Sequence, residues 1–389
     1  MEQTLTIGMA HHNDYDGVYF SIQDIRKELM FNGRYDLLKK IEFIVVENDP
    51  QSKHAQHLKQ LSNHFSPKIR IVDLEDKKGT SVARNKIIEE AKTNFVLVMD
   101  CHVLLCPVIK IIENLFTFME YNKNTNDLYT GPLVYDNMRM VSTHFNDEWR
   151  SQMWGTWGNA WQCVCESFNF SVINNENQCK FVSLVDQKHL DKCEYCDREF
   201  PKNLPFAQHE NRLNSDGYST LGQRPDSEPF EVFAQGLGLF FTRKNSWLGF
   251  NDHARGFGGE ECYIHEKYRK AGRKTMCLPF LKWLHRFGRP DGVKYDLTLE
   301  SKVRNYILEF KEIGLDMTPL KKHFTETFNL SIDKWDSCVA EVNSIYDENI
   351  DNTDEASEDL AEQIKILEQK LLKAQKNKKS CSSKKCCKR

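Results

Sequence analysis

The sequence predicts an α/β protein with a mostly parallel sheet that is covered by helices on both faces. Short apolar runs rich in Val and Ile begin at Leu5, Ile41, Ile69 and Phe95, and helix-prone stretches separate them. Strands that alternate with helices favour parallel pairing, and runs with few polar residues are typical of strands buried on both faces. Polar residues follow each run, which predicts a binding crevice at the carboxyl ends of the strands.

The order of the elements follows from these runs. The predicted strands cover 5–10, 41–46, 69–72 and 95–99, and the predicted helices cover 18–31, a polar stretch around Leu58 and Leu61, and 79–91. A later apolar stretch at 230–241 is predicted to return to the sheet. A helical stretch follows from about 257 to Lys270, and a short apolar run precedes His285.

Length and composition limit the class of protein. The chain has 389 residues, of which 40% are hydrophobic and 11% aromatic, and its formal net charge is −3. These values fit a globular protein with one large domain or two ordinary ones. The sequence contains no apolar run of transmembrane length, and its first residues lack a basic and apolar signal segment. We therefore expect a cytoplasmic protein without a transmembrane segment.

The fourth predicted strand ends in a candidate metal site. Asp100 and His102 have the same parity along an extended chain, so their carboxylate and imidazole would point in the same direction. Such a pair could hold a divalent cation over a diphosphate. The alternative is a surface Asp-x-His sequence at the end of a strand, without a bound ion.

An irregular, cysteine-rich insert is predicted at about 149–225. Cys193, Cys196 and His209 have the spacing of a two-Cys two-His zinc finger whose last histidine is missing. Tetrahedral zinc needs a fourth ligand, for which the candidates are Cys163, Cys165 and Cys179. Such a structural Zn²⁺ site would be a staple of the insert or a clamp on nucleic acid. The alternative is a set of reduced, partly buried thiols.

Tryptophans gather at the start of this irregular region, at Trp149, Trp154, Trp157 and Trp161. Two interpretations of these side chains stay open. They either face an acceptor or pack a small subdomain.

The chain changes character after about residue 298. A charged helical extension is predicted at 298–346, followed by an acidic linker at 347–359. Apolar residues then alternate at spacings of four and three over 360–376, as in a two-heptad coiled coil. This segment would form either a weak homodimer or an intramolecular helix. The basic tail at 377–389 is predicted to be a solvated end, or else a contact for nucleic acid or an acidic membrane.

A series of further motifs occurs in a fixed order between residues 4 and 290. They are His12-Asn-Asp14, Glu47-Asn48, Gly79 to Arg84, Met99-Asp-Cys-His102, Gly236-Leu-Gly-Leu-Phe240, Phe257-Gly-Gly-Glu260 and Cys277 to His285-Arg286. In this order they resemble nucleotide-sugar glycosyltransferases of the GT-A fold, most closely the catalytic domain of polypeptide N-acetylgalactosaminyltransferases and related family 2-like transferases. The resemblance implies a GT-A domain over 1–297. Glu47-Asn48 and Phe257 depart from that family, which has two aspartates and a tryptophan there.

The resemblance also implies a metal-dependent reaction. Asp100, His102 and His285 would bind a divalent cation, Mn²⁺ or another, beside the diphosphate of a UDP-sugar. A Lewis acid at that position stabilises the charge of the leaving group. One carboxylate with two imidazoles suits Mn²⁺ better than Mg²⁺, which prefers oxygen ligands.

Other residues receive roles through the same resemblance. His12 and Glu47 would contact uracil and ribose, and Arg84 would contact the nucleotide. Gly236 and Gly238 would let the backbone approach the donor sugar. Glu260 would bind sugar hydroxyls, and Glu261 is the second candidate, as a catalytic base. The predicted donor site is completed by Asn13, Asp14 and Phe257.

Three functions are compatible with these features. The first is transfer of a sugar from a UDP-sugar to hydroxymethylated pyrimidines of DNA, suggested by the insert and the tail; a base in a duplex would have to be flipped out. The second is transfer to a cytosolic protein or a polysaccharide precursor. The third is a catalytically silent nucleic-acid-binding module, against which the retained Asp100, His102 and His285 argue.

Overall fold

The computed structural model describes residues 3–65, 67–75, 77–136, 141–158, 228–288, 292 and 298–347. The chain divides into two compact units, Met1–Leu330 and Ser331–Arg389. In the second unit, residues 332–347 are helical. The predicted cysteine site, coiled coil and basic tail lie outside the described residues. Their structure and the zinc ion stay predictions.

An eight-stranded sheet forms the centre of the first unit, and its strand order is β11-β13-β6-β12-β4-β1-β2-β3. Neighbours among β1 to β4 pair in parallel, whereas β12 runs antiparallel to β4 and β6. The mostly parallel sheet predicted from the sequence is therefore confirmed. Its strands are β1 (Leu5–His11), β2 (Ile41–Glu47), β3 (Ile69–Asp73), β4 (Phe95–Asp100), β6 (Leu128–Thr130), β11 (Phe230–Glu231), β12 (Leu239–Arg243) and β13 (Thr275–Cys277).

Two smaller sheets adjoin the large one. The first has the order β5-β14-β7-β8 and the second is the hairpin of β9 and β10. In the first small sheet, His285 of β14 lies opposite Val103 of β5. The strands are β5 (Val103–Leu105), β7 (Leu133–Val134), β8 (Val141–Ser142), β9 (His144–Arg150), β10 (Met153–Gly158) and β14 (Trp283–His285).

Helices cover both faces of the large sheet. Alternate residues of β4 explain this arrangement: Leu97 and Met99 pack with α1 and α5, whereas Val96 and Val98 pack with α4 and α6. No helix in the described part of the chain is long and apolar enough to cross a membrane. The helices are α1 (Tyr15–Phe31), α2 (Tyr35–Leu38), α3 (Lys53–Ser62), α4 (Thr80–Glu90), α5 (Val108–Tyr121), α6 (Glu260–Lys270), α7 (Leu299–Ile313) and α8 (Met317–Lys322), with a 3₁₀ turn (Lys244–Ser246) and a π turn (His323–Thr327).

Two helix boundaries carry information about the site. Helix α1 begins three residues before the predicted start, because Asp14 accepts a hydrogen bond from the backbone N–H of Gly17 and caps the helix. Helix α4 begins after Gly79, which has φ +120° and bridges to Gly256. A Cβ at Gly79 would lie 2.4 Å from the backbone N and O of Gly256. The two loops therefore meet backbone to backbone.

Replacing Gly79 tests this close approach. We expect Gly79→Ala to lower the free energy of unfolding by about 3 kcal/mol, because both the positive φ and the lost space count against a side chain. Gly33→Ala is the matched control, since Gly33 has φ +71° but no heavy atom within 4 Å of an added Cβ. Urea denaturation of both variants measures the difference, and equal losses would contradict the backbone contact.

Candidate active site

Polar residues at the carboxyl ends of the central strands meet in one cavity of about 970 Å³. It lies where the loops after β1 and β4 approach the segments before α6 and after β14. The structure therefore brings together most of the side chains predicted from separate motifs. The predicted residues that line the cavity are His12, Asn13, Asp14, Arg84, Asp100, His102, Gly236, Gly238, Phe257, Glu261 and His285.

Asp100, His102 and His285 form the candidate metal site. Their nearest ligand atoms all lie within 4.8 Å of one another, and among the described residues no other three His, Cys, Asp or Glu side chains converge in this way. The Nε2 atoms of His102 and His285 lie 3.9 and 4.0 Å from Oδ2 of Asp100. One carboxylate and two imidazoles are a donor set that fits Mn²⁺ and similar cations.

A tight turn, and not strand alternation, brings Asp100 and His102 together. Strand β4 ends at Asp100, and the chain reverses at Cys101 and His102 before β5. The hydroxyl of Ser21 in α1 holds this turn by hydrogen bonds to the carbonyl oxygens of Cys101 and Val103, at 2.6 and 2.8 Å. The proximity was predicted from the sequence, but its cause is different.

His285 reaches the site because β14 pairs with β5. The backbone N–H of the next residue, Arg286, donates to the carbonyl oxygen of His102 at 3.1 Å. This bond fixes the register in which the two imidazole rings meet, with their centroids 4.8 Å apart and their planes at 90°.

Asp14 orients one of the predicted ligands. Its carboxylate accepts a hydrogen bond from Nδ1 of His102 at 3.2 Å and from Nη2 of Arg286 at 3.0 Å. Burial by itself raises the pKa of Asp14, but these two partners outweigh burial and lower that pKa far below its ordinary value. Because an ionised carboxylate only accepts, Nδ1 of His102 carries the proton of this hydrogen bond, which leaves Nε2 as the ring nitrogen that can bind a cation.

Arg84 holds the other side of the site. It is 3% exposed, and its two terminal nitrogens donate to Asp100 and to Glu260, both at 2.9 Å. Burial alone raises the pKa of Asp100, but Arg84 and the two histidines lower it, so this carboxylate is ionised. Arg84 occupies one Asp100 oxygen, and Oδ2 is left facing the histidines. Arg84 therefore supports the candidate metal site, and its predicted contact with the nucleotide stays a prediction.

The two glutamates that begin α6 have different environments. Glu260 is 1% exposed and pairs with Arg84, whereas Glu261 lines the cavity. Burial, and then the nearby charge of Glu260, raise the pKa of Glu261 to about 7. Of the two candidates, Glu261 is the carboxyl group in position to exchange a proton with a ligand.

Glu47 does not line the cavity. It is fully buried, with Oε2 at 2.5 Å from Nδ1 of His11 and Oε1 accepting from the backbone N–H of Asp49. Its neighbour Asn48 accepts from the backbone N–H groups of Lys78 and Gly79. These contacts tie the loop after β2 to its neighbours, a different role from the predicted contact of Glu47 with the nucleotide.

The two glycines before β12 make room for rings. A Cβ at Gly236 would lie 2.8 Å from the ring of Trp157, and one at Gly238 would lie 2.6 Å from the ring of Trp283. The same Cβ at Gly238 would lie 3.1 Å from Cδ2 of His285. Gly238 therefore lets a predicted metal ligand sit close to the strand, in addition to any approach of a donor sugar.

The tryptophans divide between the two interpretations. Trp149 and Trp154 pack against Tyr306 and Phe310 of α7. Trp157 instead lines the cavity, next to Tyr135 at 6.2 Å between ring centroids. One part of the cluster therefore packs the subdomain while another faces the site.

Several cavity residues were not predicted. His54 of α3 lies in a polar helix without a motif, and its Nδ1 accepts from the backbone N–H of Tyr15 at 3.3 Å. Phe287 follows the recognised His285-Arg286 pair and stacks on Tyr135 at 5.6 Å. No pattern in the neighbouring sequence identifies these side chains, because tertiary contacts bring each of them to the cavity. The lining residues that belong to no predicted motif or cluster include Asp16, His54, Tyr135, Arg150, Met153 and Phe287.

Replacing Asp14 tests the orientation of His102. We expect Asp14→Asn to weaken Mn²⁺ binding by about 10- to 100-fold, the usual effect of losing the partner of a ligating histidine. Asn still caps α1, so the melting temperature should change little. Asp16→Asn removes the same charge from the same cavity and is the control. Calorimetric titration with Mn²⁺ compares them, and equal losses would point to charge alone.

Comparisons with known proteins found a family, a relative and a solved structure that are similar to this chain. Residues 6–153 match the family described as Glycosyl transferase family 2. An uncharacterized glycosyltransferase of Methanocaldococcus jannaschii is 24% identical over 110 residues, which are 28% of this chain and 37% of the relative. The crystal structure of GalNAc-T7 with UDP, GalNAc and Mn²⁺ aligns at 14% identity with a TM-score of 0.48, covering 86% of this chain and 55% of that one.

The family match contains the loop after β1 and the turn after β4, and thus Asp14, Arg84, Asp100 and His102. Glu261 and His285 come from later in the chain. Residues 6–153 therefore match a glycosyl transferase family 2 domain, and they contain the four parallel strands at the centre of the large sheet.

Proposed function

We propose that this protein transfers a sugar from a UDP-sugar to an acceptor hydroxyl with the help of a divalent cation. The observation that carries the proposal is the convergence of Asp100, His102 and His285 in the cavity of a glycosyl transferase family 2 domain. The cavity of about 970 Å³ lies at the upper end of the range for small-molecule sites. It is large enough for a nucleotide sugar and part of an acceptor.

Asp100, His102 and His285 would hold the cation, with Mn²⁺ as the proposed ion. Bound there, it would supply Lewis-acid stabilisation of the charge on the departing diphosphate. The protein prepares the ligands in advance: Arg84 orients Asp100, and Asp14 orients His102. Arg286, held by Asp14 at the edge of the cavity, adds positive charge near the anionic donor.

Glu261 is proposed as the base that takes the proton from the acceptor hydroxyl. It lines the cavity, and its pKa of about 7 matches the operating pH of a general base. Glu260 does not compete for this role because its carboxylate is bound to Arg84.

The proposed acceptor is DNA that carries hydroxymethylated pyrimidines. Within the described residues, Trp157, Tyr135 and Phe287 place aromatic rings at the cavity, and Arg150 and Arg286 add positive charge there. Rings and cations are the groups that hold an extruded or single-stranded base and its phosphates. The finger-like cysteines and the basic tail support the same acceptor from the sequence. A protein or a polysaccharide precursor is the alternative acceptor.

Release of UDP tests the enzyme and the acceptor together. With Mn²⁺ and a panel of UDP-sugars, we expect release that hydroxymethylated DNA stimulates, and that His102→Ala reduces on the order of 100-fold. His64→Ala, an exposed histidine after α3, is the control. Release that DNA leaves unchanged would redirect the search to proteins and glycans. No release with any donor would favour a binding module.

The pH dependence of the rate tests Glu261. As pH rises through about 7, Glu261 loses its proton and becomes a base, so kcat should rise and then level off. Glu261→Gln should lose most of the rate and the rise of kcat near pH 7. Glu266→Gln, on the same helix, should keep the rate and the rise. An unchanged rise in Glu261→Gln would exclude this assignment.

Stability gives a second measurement of the same group. The pKa of Glu261 is raised from its ordinary 4.5 to about 7, so the folded protein binds the proton more tightly than the unfolded chain. The free energy of unfolding should therefore fall as pH rises from about 4.5 to 7. Glu261→Gln should flatten that part of the curve.

A further inference from the structure

Helix α7 lies beyond the residues that match the family, yet it packs on a segment that carries one cavity residue and directly precedes the helix with another. This segment, residues 255–259, is called here the glycine segment. Phe257 within it and Glu261 just after it line the cavity. The three glycines at 256, 258 and 259 have φ values of +65°, +98° and +111°. Glycine-rich backbone loses the most conformational entropy when it is ordered, so its position depends on contacts from outside.

Asn305 of α7 supplies such contacts. Its Nδ2 donates to the carbonyl oxygens of Arg255 at 2.8 Å and Gly258 at 3.2 Å, and its Oδ1 accepts from the backbone N–H of Arg255 at 3.3 Å. The side chain is 3% exposed. One amide therefore binds three backbone groups on either side of Phe257, and only a group that both donates and accepts can do this.

Neighbouring residues of α7 close the space above the segment. Lys302, Asn305 and Glu309 are spaced three and four apart, so they share one face of the helix. A Cβ at Gly258 would lie 2.9 Å from Cε of Lys302, and a Cβ at Gly259 would lie 3.0 Å from Oε2 of Glu309. The glycines thus leave room for the ends of these two side chains of α7.

The opposite side of the segment is bound by the start of α4. The backbone N–H of Thr80 donates to the carbonyl oxygen of Gly256 at 2.9 Å, and the N–H of Gly256 donates to that of Lys78 at 3.2 Å. Helix α4 also carries Arg84, the partner of Asp100. The glycine segment is therefore held between the helix that supports the metal site and the face of α7.

We propose that Asn305 is a positioning residue for the transfer reaction, which fixes the glycine segment so that Phe257 and Glu261 face the bound substrates. The inference rests on the proposed function and extends the active site to an element outside the family match. It predicts that turnover falls far more than the binding of UDP or of the cation. Asn305 contacts none of the three candidate ligands, and Phe257 is the one residue of the predicted donor site that lies in the glycine segment.

Asn305→Asp tests the proposal with almost no change of shape, because it puts a carboxylate oxygen against two carbonyl oxygens. We expect kcat for UDP release to fall about 10- to 100-fold, the effect of a small misplacement near the reacting groups. The dissociation constants for UDP and Mn²⁺ should change less than about twofold. The step of kcat near pH 7 should shift, since the surroundings of Glu261 change.

Asn32→Asp is the matched control. It makes the same chemical change in an exposed side chain whose Nδ2 also donates to a backbone carbonyl oxygen. Its kcat, donor binding and pH profile should equal those of the wild type. A loss of donor binding and melting temperature in Asn305→Asp, in proportion to kcat, would show a purely structural role and overturn the proposal.

Amide hydrogen exchange separates this inference from the proposed function. Exchange of residues 255–261 should accelerate in Asn305→Asp and not in Asn32→Asp, whether or not a donor is turned over. If exchange of residues 255–261 is unchanged in Asn305→Asp, the proposal is overturned, whatever the rate of UDP release. If the wild type turns over no UDP-sugar, the proposed function fails and the catalytic role of Asn305 fails with it, whereas accelerated exchange would still establish its hold on the segment.

Discussion

Two ion pairs of the buried Arg84 guanidinium, with Asp100 and Glu260, hold the candidate site together. The guanidinium binds Asp100 at the end of β4, 16 positions away in the chain, and Glu260 at the start of α6, 176 positions away. A buried carboxylate without a partner is strongly destabilising, so both acids depend on this one cation. Because Arg84 binds one oxygen of Asp100, the other oxygen remains for the histidines. Because Arg84 also binds Glu260, Glu261 remains as the acid in the cavity.

Around this ion pair, the site is assembled from the ends of apolar strands. The strands are buried on both faces, so their side chains serve the core and polar chemistry is confined to the loops that follow. Each loop is then fixed by hydrogen bonds. Asp14 caps α1 and also binds His102. Ser21 holds the turn after β4. The hydrogen bond between His11 and Glu47 joins the ends of β1 and β2. The proposed ligands are thus preorganised before any ion binds.

Close packing explains the glycines of this site better than flexibility does. Gly238 lets Trp283 and His285 approach the strand, and Gly79 lets two loops touch through their backbones. The glycine segment before α6 leaves room for the ends of the Lys302 and Glu309 side chains in the same way. At Gly238 a side chain would displace Trp283 and His285, which line the cavity, so the shape of the site depends there on the absence of a Cβ.

The α/β class, the first four strands with the helices between them, and most of the segments that reach the cavity could be predicted from the sequence. Those properties are local: burial on two faces leaves apolar runs, and polar residues with glycines follow them. The sequence also identified Asp100 and His102 as neighbours, although the cause proved to be a turn.

Which of the candidate side chains face the cavity could not be predicted from the sequence and is known from the three-dimensional structure. It joined His285 to His102 through the pairing of β14 with β5, and it turned Glu47 away into a buried bond with His11. It also shows that Glu261 lines the cavity while Glu260 is bound to Arg84. It adds His54 and Asn305, which belong to no sequence motif. The physical reason is that these contacts depend on helix packing or join residues far apart in the chain, such as His11 and Glu47 at 36 positions and Arg84 and Glu260 at 176. Periodicity along the chain specifies which face of an element is buried, but not which distant group its polar atoms meet.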